Sequence, residues 1–96
     1  MKKNEAFVYI LTNKNHTVIY VGVTSDLSKR IIQHKNCFYK NAFTTRYNVT
    51  ELVYFERFEK IVDAIKREKQ LKAGSRIKKI NLILESNPYW NDLYVE

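Results

Sequence analysis

The first apolar run, Ala6-Phe7-Val8-Tyr9-Ile10-Leu11, is β-branched and aromatic and contains no polar residue. Such a run predicts a strand covered on both faces rather than one with a wet side. The polar stretch Asn13-Lys14-Asn15-His16 follows, and then a second strand-like run, Thr17-Val18-Ile19-Tyr20-Val21-Gly22-Val23. So short a connection predicts an antiparallel hairpin, with His16 a solvated residue of its turn. Thr24-Ser25-Asp26 then offers the hydroxyl and carboxylate that cap a helix. The predicted helix covers about 27–35, with Leu27 and Ile31 one turn apart as its buried pair.

Between 36 and 48 isolated aromatics (Phe38, Tyr39, Phe43, Tyr47) stand among polar residues with no clear period, which reads as a loop or a short helix with a loop. Glu51-Leu52-Val53-Tyr54-Phe55-Glu56 is a third strand, and residues 59–72 have helical composition and period. Ala73-Gly74-Ser75 stops that helix and caps the next, which covers about 76–85 and ends at Asn87-Pro88. The tail Tyr89-Trp90-Asn91-Asp92-Leu93-Tyr94 is aromatic enough to pack back onto the domain. Strand, strand, helix, strand, helix, helix is the order of a small α+β domain.

One polar residue falls where the pattern wants an apolar one. Advancing about 100° per residue from Ile61 gathers Ala64, Ile65 and Leu71 into one stripe, and Glu68 lies inside it. Lys66, Arg67 and Lys69 fall at its edges or beyond. A carboxylate in such a stripe is costly unless something positive or hydrogen-bonding meets it. It can reach water at the helix end, pair with a buried arginine, or hold a metal ion. Asn81 is a second polar residue in an apolar seam, between Ile77 and Leu84. Arg30 and His34 project from one helix face, one turn apart, and Tyr9 and Tyr20 stand inside strands, where core packing is the plain role. Taken singly, each of these residues has an ordinary structural explanation.

Composition narrows the partner. The 96 residues carry 17 Lys+Arg against 10 Asp+Glu, a net charge of +7, and the isoelectric point near 9.6 points to an anionic partner. With 45% hydrophobic residues the chain is no disordered basic tail. A single cysteine, Cys37, excludes an internal disulfide and a multi-thiolate zinc site, and reads as an inert thiol. The apolar run at residues 6–11 is too short for a signal peptide or a membrane span, so a cytoplasmic protein with no membrane contact is expected.

Taken together the residues form a pattern. Phe7-Val8-Tyr9 precedes Tyr20-Val21-Gly22, then Asp26-Leu27-Ser28-Lys29-Arg30, His34 and a helical Glu68. This resembles the GIY-YIG nuclease family, named for its two tripeptides, over about residues 6–84. It is closest to the small single-domain bacterial branch, whose members carry segments similar to Phe43-Thr44 through Tyr54-Phe55-Glu56 and to Asn87-Pro88-Tyr89-Trp90. The resemblance implies one domain over 1–96, with a three-stranded antiparallel sheet flanked by about three helices. It also implies cleavage of DNA phosphodiester bonds with one divalent cation, Mg²⁺ or Mn²⁺. Glu68 resembles the metal-binding glutamate, Arg30 the phosphate-binding arginine, and Tyr9 and Tyr20 the paired tyrosines. His34 fills a position where the family places His or Tyr, and Gly22 and Asn81 support the site. The first tripeptide lacks its glycine, and Val23 stands where some members carry a lysine.

Tyr9 is then expected to act as base or water-orienter, assisted by His34, with Tyr20 holding water or phosphate. An ordinary phenol ionises near 10, so Tyr9 needs a cationic or metal neighbour to serve as a base at neutral pH. Lys35, Lys40 and Arg46 after the first helix, with Lys66, Lys69, Lys72, Arg76, Lys78 and Lys79 on the last two, form the expected DNA-backbone surface. No base-reading element is evident, so selectivity for structure, branched or single-stranded DNA, is expected. The rival is a module of the same fold that binds nucleic acid without cutting it.

Overall fold

The computed structural model describes residues 5–36 and 43–94; the expected roles of Cys37, Phe38, Tyr39 and Lys40 lie outside the described residues. Three strands, β1 (Ala6–Thr12), β2 (Ile19–Thr24) and β3 (Glu51–Phe58), form one antiparallel sheet in the order β2-β1-β3. Among the described residues four helices flank it: α1 (Leu27–Lys35), α2 (Phe43–Arg46), α3 (Ile61–Ala73) and α4 (Arg76–Ser86). The short α2 takes up the second of the two readings given to residues 36–48, a short helix with a loop.

β1 is central, and alternation along it divides the core in two. Ala6, Val8 and Ile10 join Val21 and Val53 beneath Ala64 and Leu71 of α3 and Ile83 of α4. Tyr9 and Leu11 turn the other way, toward Ile31 of α1, Val49 and Leu52. Both faces of β1 are therefore dry, which is why its sequence carries no polar alternation. The β1–β3 register shifts between Ile10 and Leu11, which pair with Tyr54 and Leu52, leaving Val53 as the extra residue.

Local chemistry fixes the ends. Asp26 caps α1 by accepting from the Lys29 amide at 3.1 Å, and Ser75 caps α4 by accepting from Lys78 at 3.3 Å. In the hairpin, Asn13 Oδ1 accepts from the Thr17 and Val18 amides, and His16 adopts a left-handed φ of 58°. His16 is not the solvated loop residue its sequence position predicts: its ring stacks on Trp90 at 4.7 Å.

Both later helices are rotated from the seams read in sequence. On α3, Ala64 and Leu71 are buried, but Ile61 and Ile65 are exposed. On α4, Ile83 is buried, whereas Ile77, Asn81 and Leu84 all face outward. Asn81 is thus a surface residue and not a polar group inside an apolar seam. The tail wraps one end of the sheet, with Trp90 packed on one core and Tyr94 on the other. Buried Asn87 donates to the carbonyl of the extra β3 residue, Val53, at 3.1 Å. Among the described residues no helix is long and apolar enough to cross a membrane.

Candidate active site

Strand register places Tyr9 opposite Gly22 and Leu11 opposite Tyr20, so all four side-chain positions share the α1 face of the sheet. Tyr9 is buried, and its phenol lies across Gly22: a methyl group built there would overlap Tyr9 Cζ and Oη. Gly22 is a cradle for that ring, and the phenol oxygen is thereby carried toward β2, an edge strand of the sheet.

α1 brings His34 onto the same face. Its ring centroid lies 6.1 Å from Tyr9 and 5.9 Å from Tyr20, and the two tyrosine rings are 6.4 Å apart. His34 Nε2 is 3.4 Å from Tyr9 Oη and Nδ1 is 3.0 Å from Thr44 Oγ1. Burial, and then the positive charge of Arg30 one turn back, hold the imidazole below its ordinary pKa. His34 is therefore neutral near pH 7, one ring nitrogen donating and the other accepting. A neutral imidazole beside a phenol is a group that can take up a proton.

Glu68 comes from the opposite layer, on α3. Arg67, on one flank of that helix, reaches Glu56 of β3 with Nη2 to Oε2 at 3.1 Å. The stripe turns about 100° between consecutive residues, so Glu68 lies on the other flank, the one toward β2. Its side chain is 13% exposed, and its carboxylate pairs with Lys72 at 2.7 Å. The half-sunken carboxylate predicted from periodicity is present, but an i,i+4 lysine meets it. Tyr9, Tyr20, Arg30 and His34 thus share one face, and Glu68 stands on the far layer at the β2 side. Among the described residues no three His, Cys, Asp or Glu side chains gather as a metal cage. The donor set still fits magnesium, which commonly takes one carboxylate and completes its shell with waters and substrate phosphate. Lys72, at 53% exposure, has room to swing away.

The predicted basic surface divides. Lys66, Lys69, Lys78 and Arg46 are exposed. Lys79 donates to the Gly74 carbonyl and Arg76 to that of Thr17, both at 2.9 Å. Lys35 is bound to Asp92 and to the Thr50 carbonyl. Two groups escaped the sequence reading. Thr44 sits in a stretch without period, and there it stands only as part of a segment shared with the family branch, with no role of its own. Arg67 looked like a marginal charge, yet it grips Glu56, which also accepts from Tyr54. Burial and that carboxylate push the Tyr54 phenol up to about 12.

A family model of the GIY-YIG catalytic domain matches residues 5–81. A UPF0213 protein of Staphylococcus saprophyticus is 38% identical over 79 residues, spanning 82% of this chain and 94% of its own. One from Syntrophus aciditrophicus is 35% identical over 88 residues, spanning 92% and 97%. The solution NMR structure of a UPF0213 protein from Bacillus halodurans superposes with a TM-score of 0.56 at 35% identity, covering 91% of this chain and 92% of that one. With the whole matched domain carried on a three-stranded sheet and its helices, this chain belongs to the GIY-YIG family, among its small UPF0213 members.

Proposed function

We propose that the chain is a divalent-metal-dependent endonuclease that hydrolyses DNA phosphodiester bonds and selects DNA by structure rather than by sequence, in the cytoplasm. The observation that carries this reading is the Tyr9–Tyr20–His34 triangle, cradled by Gly22 with Arg30 beside it.

Each group has one task. Arg30, always charged, binds the scissile phosphate and stabilises the charge that grows on its oxygens. Tyr9 orients the attacking water through its phenol oxygen. His34 Nε2 accepts the proton that passes through that phenol, while Nδ1–H donates to Thr44 and fixes the ring tautomer. Tyr20, at the edge strand, holds water or a phosphate oxygen. Glu68, on the β2 side of the opposite layer, would hold the cation, Mg²⁺ or Mn²⁺, which would supply Lewis-acid polarisation to a phosphate laid across that edge strand. Lys66, Lys69, Lys72, Lys78 and Arg46 supply non-specific attraction to the backbone.

The test is nicking of plain, branched and single-stranded DNA with Mg²⁺ or Mn²⁺, comparing the chain with Glu68→Ala, Arg30→Ala and Tyr9→Phe. Nicking that all three changes abolish supports the reading; nicking that survives Glu68→Ala marks a contaminant. Salt-dependent DNA binding with no metal-dependent nicking favours the non-catalytic module.

A further inference from the structure

The matched catalytic domain ends at residue 81, yet residues beyond it are tied to the end of α1 that carries His34. Lys35, the next residue, holds Asp92 Oδ2 at 2.5 Å and the Thr50 carbonyl at 3.1 Å, with its ammonium 5.6 Å over the Tyr94 ring. Asp92 is itself held in place. Its Oδ1 accepts from the backbone amides of Leu52 and Tyr94, each at 3.1 Å, and the Leu93 amide donates to the Leu52 carbonyl at 2.7 Å. The carboxylate is therefore fixed to β3, and through Lys35 it fixes the last turn of α1.

We infer that Asp92, acting through Lys35, is a positioning residue for His34. The inference rests on His34 being the proton acceptor proposed above. An isolated ion pair at 30% and 31% exposure contributes little energy; its value here is geometric. α1 has nine residues, and of its apolar side chains only Ile31 is buried, so the helix has little of its own to hold its end in register. Two restraints meet at that end, Thr44 on the imidazole and Asp92 on the neighbouring ammonium. A shift of the last turn moves Nε2 away from Tyr9 Oη, and misplacements near 1 Å cost up to about 10²-fold in rate.

Among the groups that meet His34 are Tyr9 from β1, Tyr20 from β2, Arg30 from α1 and Thr44 from α2. None of these is altered by changing Asp92 or Lys35, but the two variants remove charges of opposite sign beside the imidazole. A through-space effect therefore moves the His34 titration up in Lys35→Met and down in Asp92→Ala, whereas a displaced ring moves it upward in both.

The experiment follows the His34 imidazole resonances by NMR across pH in the whole chain, in Asp92→Ala, in Lys35→Met and in the double variant, alongside nicking kinetics. Lys35→Met keeps the bonds of Asp92 to Leu52 and Tyr94, so it carries the test if Asp92→Ala unfolds. The expected result is a His34 titration displaced toward the ordinary histidine value in each variant, with no further displacement in the double variant. kcat falls about tenfold while KM for DNA is unchanged. An unmoved His34 titration in the folded variants overturns the inference. So does a raised KM with unchanged kcat, which makes Lys35 a DNA contact. The titration needs no turnover: a displaced His34 in a chain that cuts no DNA overturns the nuclease reading alone, and an unmoved His34 in an active chain overturns this inference alone.

Discussion

The Tyr9 phenol lies across the α-carbon of Gly22, its partner in the β1–β2 register. Neither residue can change size without the other moving, because both are buried in a two-faced sheet. Gly22→Ala is expected to destabilise the chain by about 1–3 kcal/mol and to displace the phenol from His34. Tyr9→Phe in the same background recovers only part of that loss, since Cζ also meets the added methyl. Urea unfolding of the two single variants and the double variant measures both effects.

His34 sets a pH dependence of known sign. Its folded pKa lies below the ordinary 6.5 through burial and Arg30, so the unfolded chain binds more protons in the window between the two values. The stabilisation is complete above about 6.5 and is lost as pH falls through the folded value. His34→Gln removes that acid-side slope. Arg30→Gln displaces the titration upward but only in part, because burial is the larger cause. Denaturation midpoints measured from pH 4 to 8 follow both changes.

Lys72 competes with any cation for Glu68. Lys72→Met is therefore expected to lower the Mg²⁺ concentration giving half-maximal nicking, while costing no more than about 0.5 kcal/mol as a lost i,i+4 pair. Glu68→Gln abolishes the metal-dependent rate with a similarly small change in stability. Magnesium titrations of the nicking rate, paired with thermal melts, separate the two.

Arg30 faces the developing negative charge in the proposed reaction. Arg30→Ala is expected to reduce kcat by about 10²–10³-fold with a smaller change in DNA affinity. By contrast, Lys66→Ala and Lys69→Ala each leave kcat unchanged and reduce the slope of log K against log salt by about 1. Salt-dependent binding isotherms beside single-turnover rates distinguish the two classes.

Much of the architecture follows from the order of residues. The unbroken apolar run of β1 reports a strand dry on both faces, and Asp26 and Ser75 mark two helix starts. The carboxylate of Glu68 is legible because a period is a local property, repeating every few residues along one element. The same periodicity misjudged the seams of α3 and α4, since several rotations of an amphipathic helix satisfy the pattern and packing selects one. Ile61, Ile65, Ile77 and Leu84 were left exposed by that selection.

The elements, their order and the kinds of side chain available for chemistry are set locally, by neighbours along the chain. Which of those side chains meet is settled by packing. Tyr9, Tyr20 and His34 converge because strand register and the placement of α1 put them on one face, and Thr44 joins from a stretch with no period at all. Lys35, expected from sequence at the DNA surface, is bonded to Asp92, 57 residues away. Such pairings depend on distances through space, which propensity and periodicity along the chain do not encode.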